Sequence, residues 1–167
     1  MPKLGNLNTI NHYIKISKEE SSPRYPDLNL VRICGKYFGK NSGKMLDFGC
    51  GTGSNLIHLC KQGFDLYGVD TSTFFIKNIK STINKIPRLK KKISLKVLKK
   101  NYRKLPYKNN YFDFIVCSGV IHHMKNDRKA FFEIKRRKRR MLTVSRLPYP
   151  MVEAFLSNRS YRTQVAF

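Results

Sequence analysis

The chain has 167 residues, with 34 lysine or arginine residues against 10 aspartate or glutamate residues and a formal net charge of +24. This length suits one domain with a substantial core, and no apolar run is long enough to cross a bilayer. The first twenty residues lack the apolar segment of a secretory signal. The four cysteines form neither a CxxC pair nor a metal-ligand pattern, which predicts a cytoplasmic protein with reduced thiols and no metal site.

The positive charge has two interpretations. A strongly basic chain is typical of nucleic-acid binding. Lysine, asparagine and isoleucine are all abundant up to residue 135, however, as an AT-rich coding sequence would give, and the lysines are scattered apart from residues 90–92 and 99–100. We therefore expect a solvated lysine surface with weak, non-specific nucleic-acid binding at low salt.

The elements predicted along the chain alternate between helix and strand. Residues 1–27 are polar and contain SSPRYPD, whose prolines oppose a continuous helix. Helical spacing follows in LNLVRICGKYFGK, SNLIHLCKQGF, TSTFFIKNIKSTINKI and NDRKAFFEIK, with Thr71 or Ser72 as the N-cap of the third. Strands are predicted in KMLDFG, DLYGVD, ISLKVL and YFDFIVCSG. This alternation predicts an α/β doubly wound, mostly parallel sheet, which binds ligands beyond the carboxyl ends of its strands.

The segment MLDFGCGTGSN places three glycines, Gly49, Gly51 and Gly53, between a strand and a helix, where bare backbone lets a ligand approach closely. A dinucleotide site would need GxGxxG and a pyrophosphate at the helix start. Here the pattern is GxGxG after Asp47, an acid that would repel a pyrophosphate but suits an ammonium group. The next strand ends at Asp70, whose carboxylate can accept hydrogen bonds from both hydroxyl groups of a ribose. Ammonium, ribose and no phosphate together indicate S-adenosyl-L-methionine; the alternative is a tight structural turn with an unrelated surface aspartate.

Two segments resemble class I S-adenosylmethionine-dependent methyltransferases. LDFGCGTGSNLIHLCKQGFDLYGVDTS is similar to the nucleotide-binding half of that family, and LPYKNNYFDFIVCSGVIHHM to its segment through the fourth strand. The resemblance implies a Rossmann-like fold, transferase activity and S-adenosyl-L-methionine as cofactor. It implies that Asp47 holds the amino group of the cofactor, that Gly49 and Gly51 line its methionine part and that Asp70 binds its ribose. The whole implied cofactor-binding set is Asp47, Gly49, Cys50, Gly51, Gly53, Asp70, Thr71, Asn101, Tyr102 and Ser118.

The same resemblance extends to the reaction centre. The family often has an acid where this chain has Asn101, whose amide still offers an acceptor oxygen for adenine. Ser118 ends the fourth strand, where the methyl donor meets the substrate. Either His122 or His123 is a candidate general base; the alternative is that both cap the next helix or pack locally. Tyr25 lies in a segment that resembles a cap over the cofactor, or an ordinary surface turn.

The sequence changes character after Ile134. Up to residue 135 there are 21 lysines and 5 arginines, whereas residues 136–167 have 1 lysine and 7 arginines. The inner face of the last helix would continue with Arg137 and Lys138, so we expect these charges to be buried without partners or the helix to fray. A nucleic-acid or localisation patch in RRKRR is one interpretation, and a truncated or frame-shifted end that fails to complete the fold is the preferred one. The predicted regions are 1–27 as a cap segment, 28–135 as the methyltransferase domain and 136–167 as an atypical basic tail, in which MLTVS is a candidate fifth strand.

Three functions are consistent with these patterns. The first is methyl transfer from S-adenosyl-L-methionine to a small-molecule acceptor, the second is methylation of RNA, and the third is a cofactor-binding remnant without activity. Lysines clustered around the cofactor site would favour RNA over a small molecule. The sequence does not identify the acceptor atom.

Overall fold

The computed structural model describes residues 25–37, 42–99, 104–120 and 127–145, together with 11, 14 and 15. Over these ranges helices and strands alternate, as the sequence predicts. The elements in chain order are α1 Leu28–Tyr37, β1 Lys44–Phe48, α2 Ser54–Lys61, β2 Asp65–Asp70, α3 Thr73–Asn84, α4 Pro87–Lys92, β3 Ile93–Val97, β4 Phe112–Ser118, α5 Asp127–Arg137 and β5 Lys138–Ser145.

The five described strands form one sheet in the order β3-β2-β1-β4-β5, and every neighbouring pair is parallel. The prediction of a doubly wound parallel sheet is therefore confirmed, and the segment MLTVS lies in β5. The chain proceeds from β1 to one edge and then returns to the other side of β1. The order thus reverses between β1 and β4, and such a reversal opens a crevice at the carboxyl ends of the strands.

Helices α1, α2 and α3 pack on one face of the sheet, and α5 packs on the other face together with the loop that precedes β4. Met45 of β1 joins a core cluster with α1, α2 and α3, while Leu46 joins a second cluster that includes Ile134 of α5. Because strand side chains alternate between faces, a strand buried on both faces reads as a continuous apolar run. Asp47 breaks that run, although it is as buried as its neighbours.

Two helix starts show how local chemistry sets the boundaries. Ser72 is the N-cap of α3, and its hydroxyl accepts a hydrogen bond from the Phe75 amide at 3.4 Å. The sequence pattern ends this helix before Pro87 and predicts no helix immediately after it. In the structure α4 begins at Pro87, because proline at the first helical position loses no hydrogen bond and has a suitable φ.

The expectation that Arg137 is unpaired or that the helix frays is wrong. Helix α5 runs to Arg137 and passes directly into β5. Arg137 is 4% exposed and Glu133 is 7% exposed, and Arg137 Nη2 lies 2.5 Å from Glu133 Oε1. Arg137 also donates to the side chain of Asn109, and the Leu105 amide donates to Glu133 Oε1 at 2.7 Å. The spacing of four residues puts both charges on one helix face, which the apolar pattern alone does not reveal.

The rest of the predicted basic tail, residues 146–167, lies outside the described residues. Its failure to complete the fold therefore stays a prediction. None of the helices in the described ranges is long and apolar enough to cross a membrane.

Candidate active site

The glycine loop between β1 and α2 is pinned to the end of β2. The amides of Gly49 and Cys50 donate to the Val69 carbonyl at 2.8 and 3.1 Å. Gly49, Gly51 and Gly53 all have positive φ, at 74°, 48° and 81°. This left-handed conformation strains residues that carry a Cβ, so the backbone itself favours glycine at these positions.

Side-chain space distinguishes the three glycines. A Cβ on Gly49 would lie 2.2 Å from Val120 Cγ2, and one on Gly53 would lie 2.8 Å from Ile79 Cγ1. A Cβ on Gly51 would meet no heavy atom of the described residues within 4 Å. Gly49 and Gly53 thus allow the loop to pack against its own protein, whereas Gly51 presents bare backbone to open space, where a ligand has room.

Asp70, the last residue of β2, holds the loop in place. Its Oδ2 accepts a hydrogen bond from the Gly51 amide at 2.9 Å, and its Oδ1 accepts one from the Ser72 amide at 2.8 Å. Burial raises the pKa of Asp70, while hydrogen bonds from the amides of Ser72, Gly51 and Thr71 act in the opposite direction. Each carboxylate oxygen can accept a further hydrogen bond. The residue can therefore bind hydroxyl groups while it fixes the backbone.

Asp47 lies one strand away and has different surroundings. It is 2% exposed, and its Oδ2 has no hydrogen-bond partner among the described residues. Burial, and then the charge of Asp70, raise its pKa to about 7. A buried carboxylate oxygen without a partner costs free energy unless a proton or a cation reaches it. The site thus has an acceptor that suits an ammonium group.

The segment before α1 reaches the end of β4. Asp27 donates its amide hydrogen to Asn55 Oδ1 at 2.8 Å, and Asp27 Oδ2 accepts a hydrogen bond from the Ser118 hydroxyl at 3.4 Å. These contacts join the start of α1, the first turn of α2 and the end of β4. Tyr25, the candidate cap residue, is 80% exposed, so it does not seal the site here.

The carboxyl ends of β1, β2 and β4 bring together most of the predicted set: Asp47, Gly49, Cys50, Gly51, Gly53, Asp70, Thr71 and Ser118. Asn101, Tyr102, His122 and His123 lie outside the described residues, so their roles stay predictions. Burial raises the pKa of Cys50 well above its usual value, which makes it a packing residue rather than a nucleophile. All four cysteines are buried, and none forms a disulfide.

Asp27 and Asn55 are the residues at this site that sequence reasoning missed. An aspartate before LNLVR is a normal N-cap signal, and Asp27 Oδ1 does accept from the Leu30 amide at 3.4 Å. Its contact with Ser118 is tertiary and has no local signal. Within the described ranges, no three His, Cys, Asp or Glu side chains form a group that could hold a metal ion.

Together these residues fit S-adenosyl-L-methionine. Asp47 could hold its ammonium group, Asp70 could hold its ribose hydroxyls, and the open space beside Gly51 could receive its chain. The fit rests on the partnerless oxygen of Asp47 and the bare backbone at Gly51. Nothing in the described loop suits a pyrophosphate, because Asp47 and Asp70 border it.

The part of the chain that forms this site is similar in sequence to known proteins. A family model described as a methyltransferase domain matches residues 46–140. Norajmaline N-methyltransferase from Rauvolfia serpentina is 33% identical over 98 residues, which are 58% of this chain and 32% of that enzyme. An uncharacterized methyltransferase from Alkaliphilus oremlandii is 28% identical over 123 residues, which are 74% of this chain and 50% of that protein. The chain thus spans between about a third and a half of these two curated relatives.

A solved structure gives the same result in three dimensions. A SAM-dependent methyltransferase from Aquifex aeolicus superposes with a TM-score of 0.61 at 27% identity, covering 79% of this chain and 71% of that chain. The family match begins within β1, includes Asp47, the glycine loop and Asp70, and ends within β5. The chain therefore belongs to the class I S-adenosylmethionine-dependent methyltransferases.

Proposed function

We propose that this chain binds S-adenosyl-L-methionine at the carboxyl ends of β1, β2 and β4, and that the protein transfers its methyl group to a small-molecule acceptor. The observation that carries the proposal is the buried Oδ2 of Asp47, which has no partner in the described part of the chain. A cationic ligand in contact with that oxygen removes the cost of burying it. Asp70 and the open backbone at Gly51 supply the remaining contacts.

The residues of the site bind and align the methyl donor and the acceptor, and they need not activate either one chemically. When bound, the cofactor supplies a methyl group on a sulfonium, which is already reactive toward a nucleophile. The protein's task is then to hold donor and acceptor in line and to exclude water, which can contribute much of the rate. Ser118 and Asp27 border the end of β4, where the acceptor would enter. A proton from the acceptor would go to solvent or to one of the predicted bases, His122 or His123.

A small-molecule acceptor has support from the distribution of charge. Asp27 and Asp70 lie at the cofactor end, and carboxylates repel the phosphates of RNA. The lysine cluster of α4 lies elsewhere: Lys92 immediately precedes β3 and its Nζ donates to the Gly63 carbonyl before β2. Norajmaline N-methyltransferase, a relative with a small-molecule name, points the same way.

The other two predicted functions have less support. RNA as the acceptor would require basic residues around the cofactor end. The two basic runs 90–92 and 135–140 lie instead at the amino ends of β3 and β5, at the opposite end of the sheet. The inactive-remnant interpretation depends on closing strands missing after the fifth strand, in residues that lie outside the described ranges; the fifth strand itself is present, and β5 pairs with β4 along its length. We therefore retain methyl transfer to a small molecule.

Isothermal titration calorimetry of the whole chain tests cofactor binding. We expect saturable binding of S-adenosylmethionine and S-adenosylhomocysteine, and no comparable binding of NAD. A chain that is folded by circular dichroism but binds neither adenosyl ligand would contradict the proposal, as would preferential binding of NAD.

The acceptor class needs a second measurement. S-adenosylhomocysteine release is followed with a panel of small amines and hydroxyl compounds and, separately, with purified RNA at near-physiological salt. We expect turnover with a small molecule. Turnover with RNA alone would overturn the assignment of the acceptor while leaving the assignment of the cofactor intact.

A further inference from the structure

The outer surface of α3 and α4 carries an unusual concentration of positive charge. From residue 71 to residue 112 the sequence has thirteen lysines and arginines and no aspartate or glutamate. Seven of these cations lie on or next to the two helices, and all seven are exposed. We call this surface the basic edge; it consists of Lys77, Lys80, Lys85, Arg88, Lys90, Lys91 and Lys92.

The packing of the helices explains why these side chains face solvent together. Helix α3 buries Ile76, Ile79 and Ile83 against the sheet, and α4 buries Leu89. The polar positions of both helices are therefore directed away from the core. Because α4 leads directly into β3, which lies at one edge of the described sheet, the cations form one continuous margin of the molecule.

Little in the described structure neutralises this margin. Lys92 lies 3.9 Å from Asp65, and the other six cations form no ion pair with a described residue. Neighbouring like charges on a helix are destabilising, and α4 carries four in six residues. A bound polyanion would remove that repulsion and release counterions of its own.

We propose that the basic edge binds the phosphate backbone of nucleic acid, at a site separate from the methyl-transfer site. Charge complementarity favours a polyanion, and the lack of a broad apolar surface among the described residues of α3 and α4 disfavours a membrane. An amphipathic helix at a membrane inserts its apolar face, but the apolar residues of these helices are used in the core. Ile86, at 40% exposure, is the partly exposed apolar residue between them.

The α4 part of the basic edge and the candidate active site lie at opposite ends of the sheet, whereas Lys77 and Lys80 lie on α3, which begins at Thr73 shortly after Asp70. Helix α4 meets β3 at its amino end, whereas the glycine loop and Asp70 follow the carboxyl ends of β1 and β2. Five residues of strand span roughly 16 Å. Nucleic acid on the α4 part of the basic edge would contact the protein away from the methyl-transfer site, so this inference does not depend on the proposed function.

The test is fluorescence anisotropy with a labelled single-stranded RNA of random sequence, titrated with the whole chain at several salt concentrations. The edge variant is Arg88→Glu/Lys90→Glu/Lys91→Glu. Its control is Arg32→Glu/Lys104→Glu/Lys108→Glu, which changes the same residue types and the same net charge at exposed positions of α1 and of the loop before β4. We expect the edge variant to bind RNA at least about tenfold more weakly at 100 mM salt, and the control to lose less than about threefold.

The salt dependence gives a second readout. The slope of log K against log salt should become shallower by about 2 for the edge variant, since each lost phosphate contact on single strands is worth about 0.7. Equal losses in the two variants would overturn the proposal, because net charge alone would then explain binding. An edge variant that binds RNA like the wild type would also overturn the proposal. The same holds for an edge variant that keeps its RNA binding and loses only its binding to phosphatidylserine vesicles.

Two further variants keep the outcome interpretable. If the glutamate variant does not fold, Lys90→Gln/Lys91→Gln is measured instead, and a smaller loss of RNA affinity in that variant supports the proposal while none opposes it. Asp70→Ala should leave RNA binding unchanged. Loss of RNA binding in Asp70→Ala would place the nucleic acid at the cofactor end and contradict a separate site.

Discussion

Glu133 near the end of α5 and Asp47 in β1 are both buried carboxylates, but their surroundings differ. Glu133 Oε1 accepts a hydrogen bond from the Leu105 amide at 2.7 Å and pairs with Arg137 at 2.5 Å. Asp47 Oδ2 has no partner within the described structure, and its pKa is raised to about 7. A buried charge that the chain satisfies itself belongs to the fold. A buried charge that the chain leaves unsatisfied points to a ligand.

The same contrast explains why each acid is tolerated. The Glu133–Arg137 pair ties the loop before β4 to the end of α5, through Leu105 and Asn109. Desolvation of two charges is offset by their attraction and by these additional hydrogen bonds, although Arg137 Nε has no hydrogen-bond partner among the described residues. Asp47 Oδ2 has no such compensation from the described residues. It reduces the stability of the protein alone, and we expect the cost to be recovered only when a proton or a cation binds.

The largest effect should come from the pair at the end of α5. Arg137→Ala leaves Glu133 buried without its cation, so we expect the free energy of unfolding to fall by about 3–5 kcal/mol. Arg136→Ala is the control, because the Arg136 side chain is 57% exposed and lies 3.9 Å from Glu133; it should change stability by less than about 1 kcal/mol. Urea denaturation measures both. Equal stability of the two variants would mean that the buried pair does not hold this region.

The glycine loop should separate folding from binding. Gly49→Ala forces a Cβ against Val120 in a left-handed backbone, and we expect a loss of about 2–4 kcal/mol of stability. Gly51→Ala has the backbone strain without the clash, so about 1–2 kcal/mol is expected. Gly51→Val should still fold but lose most of its affinity for S-adenosylmethionine. Thermal denaturation and calorimetry test these statements, and a Gly51→Val variant that binds normally would exclude a ligand next to Gly51.

Asp70 should affect cofactor binding, because we propose that it contacts the ribose. Asp70→Ala is expected to weaken S-adenosylmethionine binding by about ten- to a hundredfold, since hydrogen bonds to a charged group are worth roughly 1.5–3 kcal/mol. Asp65→Ala, at the other end of the same strand, removes an exposed acid paired with Lys92 and should leave affinity unchanged. Calorimetric titration distinguishes them. A similar loss in both variants would point to net charge and not to a ribose contact.

The pH dependence of stability should be the effect that is hardest to isolate, because many groups contribute to it. A raised pKa in the folded state means that the native protein holds the Asp47 proton more tightly than the unfolded chain does. Stability from this residue is therefore complete below pH 4 and is lost as pH rises to about 7, by at most about 1.4 kcal/mol per pH unit. Asp47→Asn should show a correspondingly weaker decline in melting temperature between pH 5 and 8. Identical pH profiles would mean that Asp47 does not titrate in this range.

Much of the fold follows from local patterns. The strands and the helices α1, α2, α3 and α5 are predictable because apolar spacing, N-caps and glycines each act over a few residues. The apolar spacing around Arg137 is misleading, because a charged residue on the buried face of a helix interrupts that spacing. The spacing does not show that Glu133, four residues earlier, pairs with it. Pro87 is interpreted as the end of the preceding helix, although proline is also favourable at the first position of a helix.

The candidate site also has features that the sequence predicts and features that it does not. Asp47, the glycine loop and Asp70 are recognisable because they lie close together in a short motif. The partnerless oxygen of Asp47 is not, because it depends on how β1, β2 and the loop pack around it. The contact between Asp27 and Ser118 joins residues 91 positions apart, and no spacing rule predicts it.

Proton release on cofactor binding tests whether Asp47 receives the ammonium group. Calorimetry with S-adenosylmethionine at pH 7, in buffers of different ionisation enthalpy, gives the number of protons released. With a pKa of about 7, Asp47 is about half protonated before binding, so the wild type should release about half a proton more per ligand than Asp47→Asn, which should also bind much more weakly. Tight binding by Asp47→Asn with the same proton balance as the wild type would show that the buried carboxylate is not the cofactor's partner.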